Sequence, residues 1–499
     1  MQRGGLFMAV RNVRPESSKP NRTPPTALNG RSPSGANGHA PKRERSRYRP
    51  LPTGTHGLDP EMVKRDQRER LQQAMVELIG QKGYSAVRIV DLAKLARVSQ
   101  PTFYALYGDK EELFVSAYEE IVERTAKTVL DAYNAEGSQR ERLLRGMRAF
   151  AELAAAEPAA VSLRVLGAFG AGGKVLERRS LSLDALEGRI RAIRDGVSAE
   201  NTSDLTVKAV LGGIREVTAA RLRQGREREL SGLVEEIVTW ASSYPRQLPA
   251  GLAAPPARRE AGSAGCKLPA SARARRAEGR LPSGRSDLPR QFIVKSQRER
   301  IVDATAAIVA EKGLAGLTIP EIARRANISH QTFYAMYASK HEAFLGAQKV
   351  GMHQALRVAV EAYEEHKQDW PRAVGAGLRA LIDYLASEPA HAHLSLIDTF
   401  AACPEAIEIR NAMMNAFTAY LAPGYELAAA EGTEVPSVAA EAITGGVWQV
   451  FHHYIENDCL AELPGAAPQL TYFALTPFLG PRRAAQAAGA QPSAERASA

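Results

Sequence analysis

The chain has 499 residues, with 65 Lys and Arg against 55 Asp and Glu, a formal net charge of +10, and 44% hydrophobic residues. That length predicts more than one domain. No apolar run approaches the roughly 18 residues of a membrane span, and the run Leu6 to Val10 is too short for the apolar region of a secretory signal. The cysteines, Cys266, Cys403 and Cys459, are scattered, with neither metal spacing nor an even disulfide framework, which points to the reducing cytoplasm.

Residues 1–62 are rich in Pro, Gly, Ser and Arg and lack apolar periodicity, which predicts a disordered basic arm. Within it Lys42, Arg43, Arg45 and Arg47 could touch phosphates or simply be solvated. A helix is predicted over 67–82, where Leu71, Ala74, Met75, Leu78 and Ile79 share one face and Gly83 ends it. Residues 88–114 then read as short helices joined by tight turns, closing a first domain over 65–125. Amphipathic helices follow over 126–245, among them 205–222 and 230–240. Residues 246–290 are a Pro-, Gly- and Arg-rich linker. A flexible segment of about 45 residues spans roughly 35–40 Å, close to the roughly 34–36 Å between DNA half-sites one turn apart.

The plan then repeats. Residues 297–344 match 67–114 without a gap: Gln67, Arg68, Glu69 and Arg70 recur as Gln297, Arg298, Glu299 and Arg300, and Thr102, Phe103, Tyr104, Ala105 and Tyr107 as Thr332, Phe333, Tyr334, Ala335 and Tyr337. In the second copy Thr318 with Glu321 reads as a capping box, and Ser339 with Glu342 as another. Pro320 sits in a first helical turn, and Ser329 caps the next helix. Two short helices joined by a tight turn form the helix-turn-helix pattern, whose second helix enters the DNA major groove. The second reading domain is placed at 295–355 and its helical body at 356–480, with a disordered tail over 481–499. Glu157-Pro158 returns as Glu388-Pro389 and Gly212-Gly213 as Gly445-Gly446, so the whole unit is duplicated.

Both copies resemble the DNA-binding domain of the tetracycline-repressor (TetR) family. The family pattern is Thr-x-x-x-Ile-Ala-x-x-Ala-Gly-Val-Ser-x-Gly-Thr-Leu/Phe-Tyr-x-Tyr-Phe-x-Ser-Lys-Glu-x-Leu. The second copy follows it closely. The first has Arg88 in place of the opening Thr, and both depart at the glycines, with Arg97 and Asn327 before the Val-Ser position and Pro101 and Gln331 before the Thr. The resemblance implies an all-α chain of two tandem TetR-like units, each a helix-turn-helix domain followed by a helical ligand and dimerisation domain.

Phosphate contacts position such a protein and base contacts give it sequence preference. The resemblance implies phosphate roles for Thr102, Thr332, Tyr104, Tyr334, Lys110 and Lys340, and their hydroxyls and cations suit that role. Lys110 and Lys340 open a helix, where the dipole disfavours a cation, so a phosphate nearby would offset the cost; a solvated surface lysine is the alternative. Phe103 and Phe333 read as core residues. Base reading falls to Gln100 and Pro101 in one copy and to His330 and Gln331 in the other. Gln can pair with adenine and Pro cannot donate, so the two heads are expected to read different half-sites. Arg88 loses the cap that Thr318 supplies but could reach a phosphate.

Trp370, Tyr384, Phe417, Trp448, Phe451 and His452 are candidate pocket or packing residues for a small-molecule effector. His391 with His393, and His452 with His453, lack a convincing metal spacing, and no metal or cofactor is expected. An enzyme reading is disfavoured. The segment 167–174 faintly resembles a phosphate loop, but Ala168 replaces its first Gly and Val175 its Ser or Thr, and no catalytic constellation appears. The expectation is a cytoplasmic, ligand-responsive transcription regulator, a repressor, with an operator duplex as partner. Its two units would pair within one chain or in a homodimer. The alternative is a single-head binder or sensor scaffold with a degenerate first head.

Overall fold

The computed structural model describes residues 59–165, 173–195, 205–249, 251–254, 289–399 and 404–489. The expected arm up to residue 58, the phosphate-loop-like stretch 167–172, most of the linker, Cys266, Cys403 and the last ten residues lie outside these. Among the described residues there are helices and turns and no strand.

The first half runs α1 (Pro60–Lys82), α2 (Ile89–Ala96), α3 (Gln100–Leu106), α4 (Lys110–Tyr133), α5 (Gln139–Ala156), α6 (Pro158–Val165), α7 (Gly173–Asp195), α8 (Thr206–Arg223) and α9 (Val234–Ala241). The second half runs α10 (Arg290–Lys312), α11 (Ile319–Ala326), α12 (His330–Tyr334), α13 (Lys340–Glu365), α14 (Trp370–Ser387), α15 (Pro389–His393), α16 (Pro404–Ala419), α17 (Pro423–Ala430), α18 (Ala439–Glu456) and α19 (Ala467–Ala487).

Helix α1 starts at Pro60, seven residues before the expected start at residue 67. The Asp59 side chain accepts from the Glu61 N–H and proline suits a first turn, so residues 60–62 belong to the helix and not to the arm. Helix α10 likewise begins at Arg290. At the other end, 481–487 are helical rather than tail. Gly480 (φ 74°) kinks the chain, Pro481 starts a new turn, and Ala484 and Ala485 are buried. Residues 246–254 are not all free linker, since Leu252 and Ala254 are buried against the body.

The apolar centre of the second reading domain gathers Ile301, Val309, Leu317, Ile322, Phe333 and Phe344 and continues into the body at Ala390, Leu394 and Ala406. The bodies are joined by a common cluster, in which Val217, Trp240 and Tyr244 of the first half are continuous with Phe451, Phe473 and Leu475 of the second, while Val161, Ala219 and Val234 form a separate cluster in the first body. Tyr244 stacks on Phe473 at 4.7 Å and its hydroxyl donates to the Phe473 carbonyl at 3.1 Å.

The centre of this junction is the packing of α8 on α18. A Cβ on Gly212 would lie 2.3 Å from the Gln449 Cβ, and one on Gly445 would lie 2.3 Å from the Glu216 Cβ. Gly213 and Gly446 face the Ala442 and Ala209 carbonyls at 2.5 and 2.6 Å in the same sense. Small residues let the two backbones approach, and both helices contribute the same pair. Beside the crossing, Arg410 on α16 donates twice to Glu216 at 2.9 and 2.6 Å, and Arg223 donates to the same carboxylate at 2.9 Å. The pseudo-equivalent Arg179 on α7 donates to Glu456 at 3.0 Å. Burial alone would raise the Glu216 carboxyl, but Arg410 and Arg223 more than reverse that and hold it well below the usual carboxylate range.

Gly445→Val should force the paired helices apart and cost about 1–3 kcal/mol or more, read as a lower unfolding midpoint. Glu216→Gln leaves a buried Arg410 without its counter-charge and should cost about 3–5 kcal/mol at neutral pH. A carboxyl whose folded pKa is depressed stabilises above its unfolded value and loses that contribution as pH falls. Wild-type stability should therefore fall below about pH 4, and the Gln variant should show less of this fall in urea unfolding at successive pH values.

Candidate nucleic-acid interface

The two reading domains reach the same geometry through the same local devices. Gly83 (φ 76°) and Gly313 (φ 64°) end the first helix of each. Helices α2 and α11 end in the left-handed region at Arg97 (φ 54°) and Asn327 (φ 51°), which is the backbone reason a glycine suits this position. Ser99 and Ser329 then cap α3 and α12, accepting from the Thr102 and Thr332 N–H groups at 3.1 and 3.0 Å. Thr318 caps α11 by accepting from Glu321 N–H at 3.4 Å, whereas Arg88 makes no side-chain cap.

Both expected capping boxes are half formed. The Glu321 carboxylate turns to Lys312 and Arg324 at 2.9 and 2.7 Å. Glu342 accepts from the Ala338 N–H at 2.6 Å rather than from Ser339. Nearby cations and a closer amide compete for these carboxylates.

One exposed face on each head collects part of the candidate set. Gln100, Pro101 and Tyr104 are exposed on α3, as are His330, Gln331 and Tyr334 on α12. Tyr104 and Tyr334 are 56% and 58% exposed, large for aromatic rings, and each stands edge-on against a fully buried Phe103 or Phe333. The two tyrosine rings are thus braced from below and open above. Thr102 and Thr332 are half-buried, their hydroxyls 2.7 and 2.9 Å from those of Ser99 and Ser329. Tyr107 and Tyr337 are core residues at 5% and 3% exposure.

Three cations, two of them exposed, are engaged by partners within the chain. Lys110 donates to the Tyr84 and Val87 carbonyls at 3.1 and 3.0 Å and lies 4.1 Å from the Tyr84 ring centre. Lys340 donates to the Leu317 carbonyl at 2.9 Å. Backbone carbonyls therefore already offset the helix dipole that the sequence argument assigned to a phosphate. Burial lowers the Lys110 amine. Arg88 forks onto Asp91 at 3.1 and 3.0 Å, on its own helix.

Sequence reasoning missed the residue that fixes the reading helices. Arg300 reaches from α10 to the Ala326 and Asn327 carbonyls at 2.9 and 3.1 Å. Arg70 does the same to Ala96 and Arg97, and also pairs with Asp66 at 2.8 Å. The signal was present, since both arginines stand at matching places in the repeat.

In the second body two small cavities, of about 20 and 90 Å³, share Leu381, Phe417 and Trp448. Tyr384 lines the first and Phe451 the second. Trp370 and His452 line neither. The Trp370 indole donates to the Tyr420 carbonyl at 3.1 Å and its ring packs on Phe478. His452 is fully buried, its pKa pushed well down by burial and by Arg215, Arg179 and Arg410.

The family described as "Bacterial regulatory proteins, tetR family" matches residues 72–117 and again 301–346. Among solved structures, the fatty acid degradation regulator FadR from Bacillus halodurans is 17% identical, covering 35% of this chain and 96% of its own, with a TM-score of 0.31. The transcriptional regulator FadR from Bacillus subtilis, in complex with stearoyl-CoA, is 18% identical, with 34% and 96% covered and a TM-score of 0.31. A TetR-like regulator from Rhodococcus sp. RHA1 is 19% identical, with 38% and 100% covered and a TM-score of 0.31. A comparison with curated proteins gives no match.

The left-handed Arg97 and the uncapped Arg88 make the first head less well terminated than the second. Arg97→Gly should stabilise it by about 1 kcal/mol, and Arg88→Thr by about 0.5–1 kcal/mol. Amide hydrogen exchange in α2 and α3 should slow in both variants, while α11 and α12 stay unchanged.

Proposed function

We propose, for a chain that carries two TetR-type units in tandem and is a DNA-binding transcription regulator, that it is a ligand-responsive repressor. In this reading its two non-identical heads read one asymmetric operator. The observation that carries it is the junction of α8 with α18, which joins the two bodies inside one polypeptide. Pairing within the chain supplies two heads without a second copy, and the heads differ where bases are read.

In this assignment Tyr104, Tyr334, Thr102 and Thr332 contact phosphates. Gln100 and Pro101 face one half-site, and His330 and Gln331 the other. Gln331 has the amide that pairs with adenine N6 and N7, while Pro101 offers only apolar contact, so the first half-site is the less demanding. Lys110 and Lys340 hold the turn between the first and second helices of each head, and any phosphate contact uses the donors left after their carbonyl bonds. Ligand in the second body would act by favouring a head spacing that fits adjacent grooves less well, which requires different affinity for the two states.

The test is solution mass, with and without duplexes selected from a random pool. One 54 kDa chain per duplex and a non-palindromic selected site is the expected result. A species of twice that mass bound to a perfect palindrome would overturn the reading. Tyr334→Phe should weaken binding about five- to tenfold by loss of one phosphate bond. Tyr104→Phe should do the same. If Tyr104→Phe has no effect while Tyr334→Phe does, the first head does not read DNA.

A further inference from the structure

We infer that the second body, and not the first, holds an effector site, and that its polar end selects a neutral amphiphile whose head both donates and accepts a hydrogen bond, as an alcohol or primary amide does. This rests on the ligand-responsive reading above and adds the ligand's chemistry and its route to the DNA-binding domain. The two cavities meet at Leu381, Phe417 and Trp448, so together they suit an elongated apolar body. One end is different. His391 and Ser395 line it at 2% and 7% exposure, and neither His391 Nδ1 nor Ser395 Oγ has a hydrogen-bond partner among the described residues. Both atoms face Gly351, where a Cβ would come within 3.2 Å of His391 Nδ1 and 3.3 Å of Ser395 Oγ. A side chain there would fill the space that these two atoms border.

The other His391 nitrogen sets which head fits. Nε2 lies 3.3 Å from Asp303 Oδ1. A carboxylate only accepts, so this contact suits the tautomer with its proton on Nε2, in which Nδ1 presents a lone pair to the cavity. The ligand must donate to Nδ1, and it can accept from the Ser395 hydroxyl. A head that only accepts, such as an ether or a carboxylate, leaves Nδ1 unsatisfied. Asp303 is on α10, the first helix of the second reading domain. His391 therefore touches the cavity with one nitrogen and the DNA-binding domain with the other.

By the register of the repeat, the first half lacks the polar parts of this arrangement and its tryptophan. Ala160 stands where His391 does, Arg164 at the place of Ser395, Gln73 at that of Asp303 and Arg215 at that of Trp448. Two long cations replace a serine and a tryptophan, and the apolar character is lost. Sensing is confined to one half of a chain whose two heads are both retained.

The test is calorimetric titration of the full chain with 1-octanol and with methyl octyl ether, which keeps the acceptor and removes the donor. One octanol per chain, bound about tenfold or more tighter than the ether, is expected from one buried hydrogen bond. Ser395→Ala removes a hydroxyl that has no partner and so should not impair folding; it should weaken octanol about tenfold. Gly351→Ala should weaken it too. Two sites, equal affinity for both probes, no octanol binding, or an unaffected Ser395→Ala variant would each overturn the inference. Asp303→Ala should still bind octanol, while the octanol-induced change in affinity for a selected duplex disappears; an unchanged response would remove the coupling through His391. Failure to select any duplex, with the octanol pattern intact, would instead count against the DNA reading alone.

Discussion

Backbone contact between α8 and α18 is the constraint on which the rest of the arrangement depends. Gly212 and Gly213 face Gly445 and Gly446 so closely that a Cβ on any of the four would meet a side-chain or backbone atom at under 3 Å. Such an approach is available only to glycine, and it brings Glu216 within reach of Arg410 and Glu456 within reach of Arg179. Apolar burial from Trp240, Tyr244, Phe451 and Phe473 supplies most of the driving force around it. The ion pairs cost desolvation that their attraction roughly offsets. Their contribution is registry, because each arginine finds its carboxylate only when the halves cross at the glycines.

Above this junction the two reading domains are built alike and differ at their surfaces. Phe103 and Phe333 are fully buried, Tyr104 and Tyr334 stand out beside them, and Arg70 and Arg300 tie the first helix to the end of the second. The differences fall at Arg88 against Thr318, Arg97 against Asn327, and Gln100-Pro101 against His330-Gln331. The first two weaken the termini of the first head, and the third alters what α3 exposes. A duplicated unit can vary these positions freely because none of them is in the core.

The bodies have diverged further than the heads. The second encloses apolar space beside Trp448 and Phe417, while Arg215 and Arg164 occupy the corresponding register of the first. An apolar cavity with a few convergent polar groups suits a ligand. A buried guanidinium at the same place needs counter-charge and fills the space with its own stem. The duplication therefore gives two alike DNA-facing ends on two unlike interiors.

The sequence by itself determined the helical class, the internal repeat, the helix-turn-helix units, the serine caps of α3 and α12 and the apolar faces. All of these are written within a few residues of one another, in periodicity and capping chemistry. It also marked the contrast between Arg88 and Thr318. The tertiary structure alone decided where long side chains go. Lys110 and Lys340 turned to backbone carbonyls 23 residues or more away, Glu321 and Glu342 left their expected partners, and Trp370 and His452 faced away from the cavities. It decided as well that Gly212-Gly213 meets Gly445-Gly446, and that His391 links a cavity to Asp303. These pairings join residues far apart in the chain, and no local pattern encodes which distant neighbour a flexible or small residue will meet.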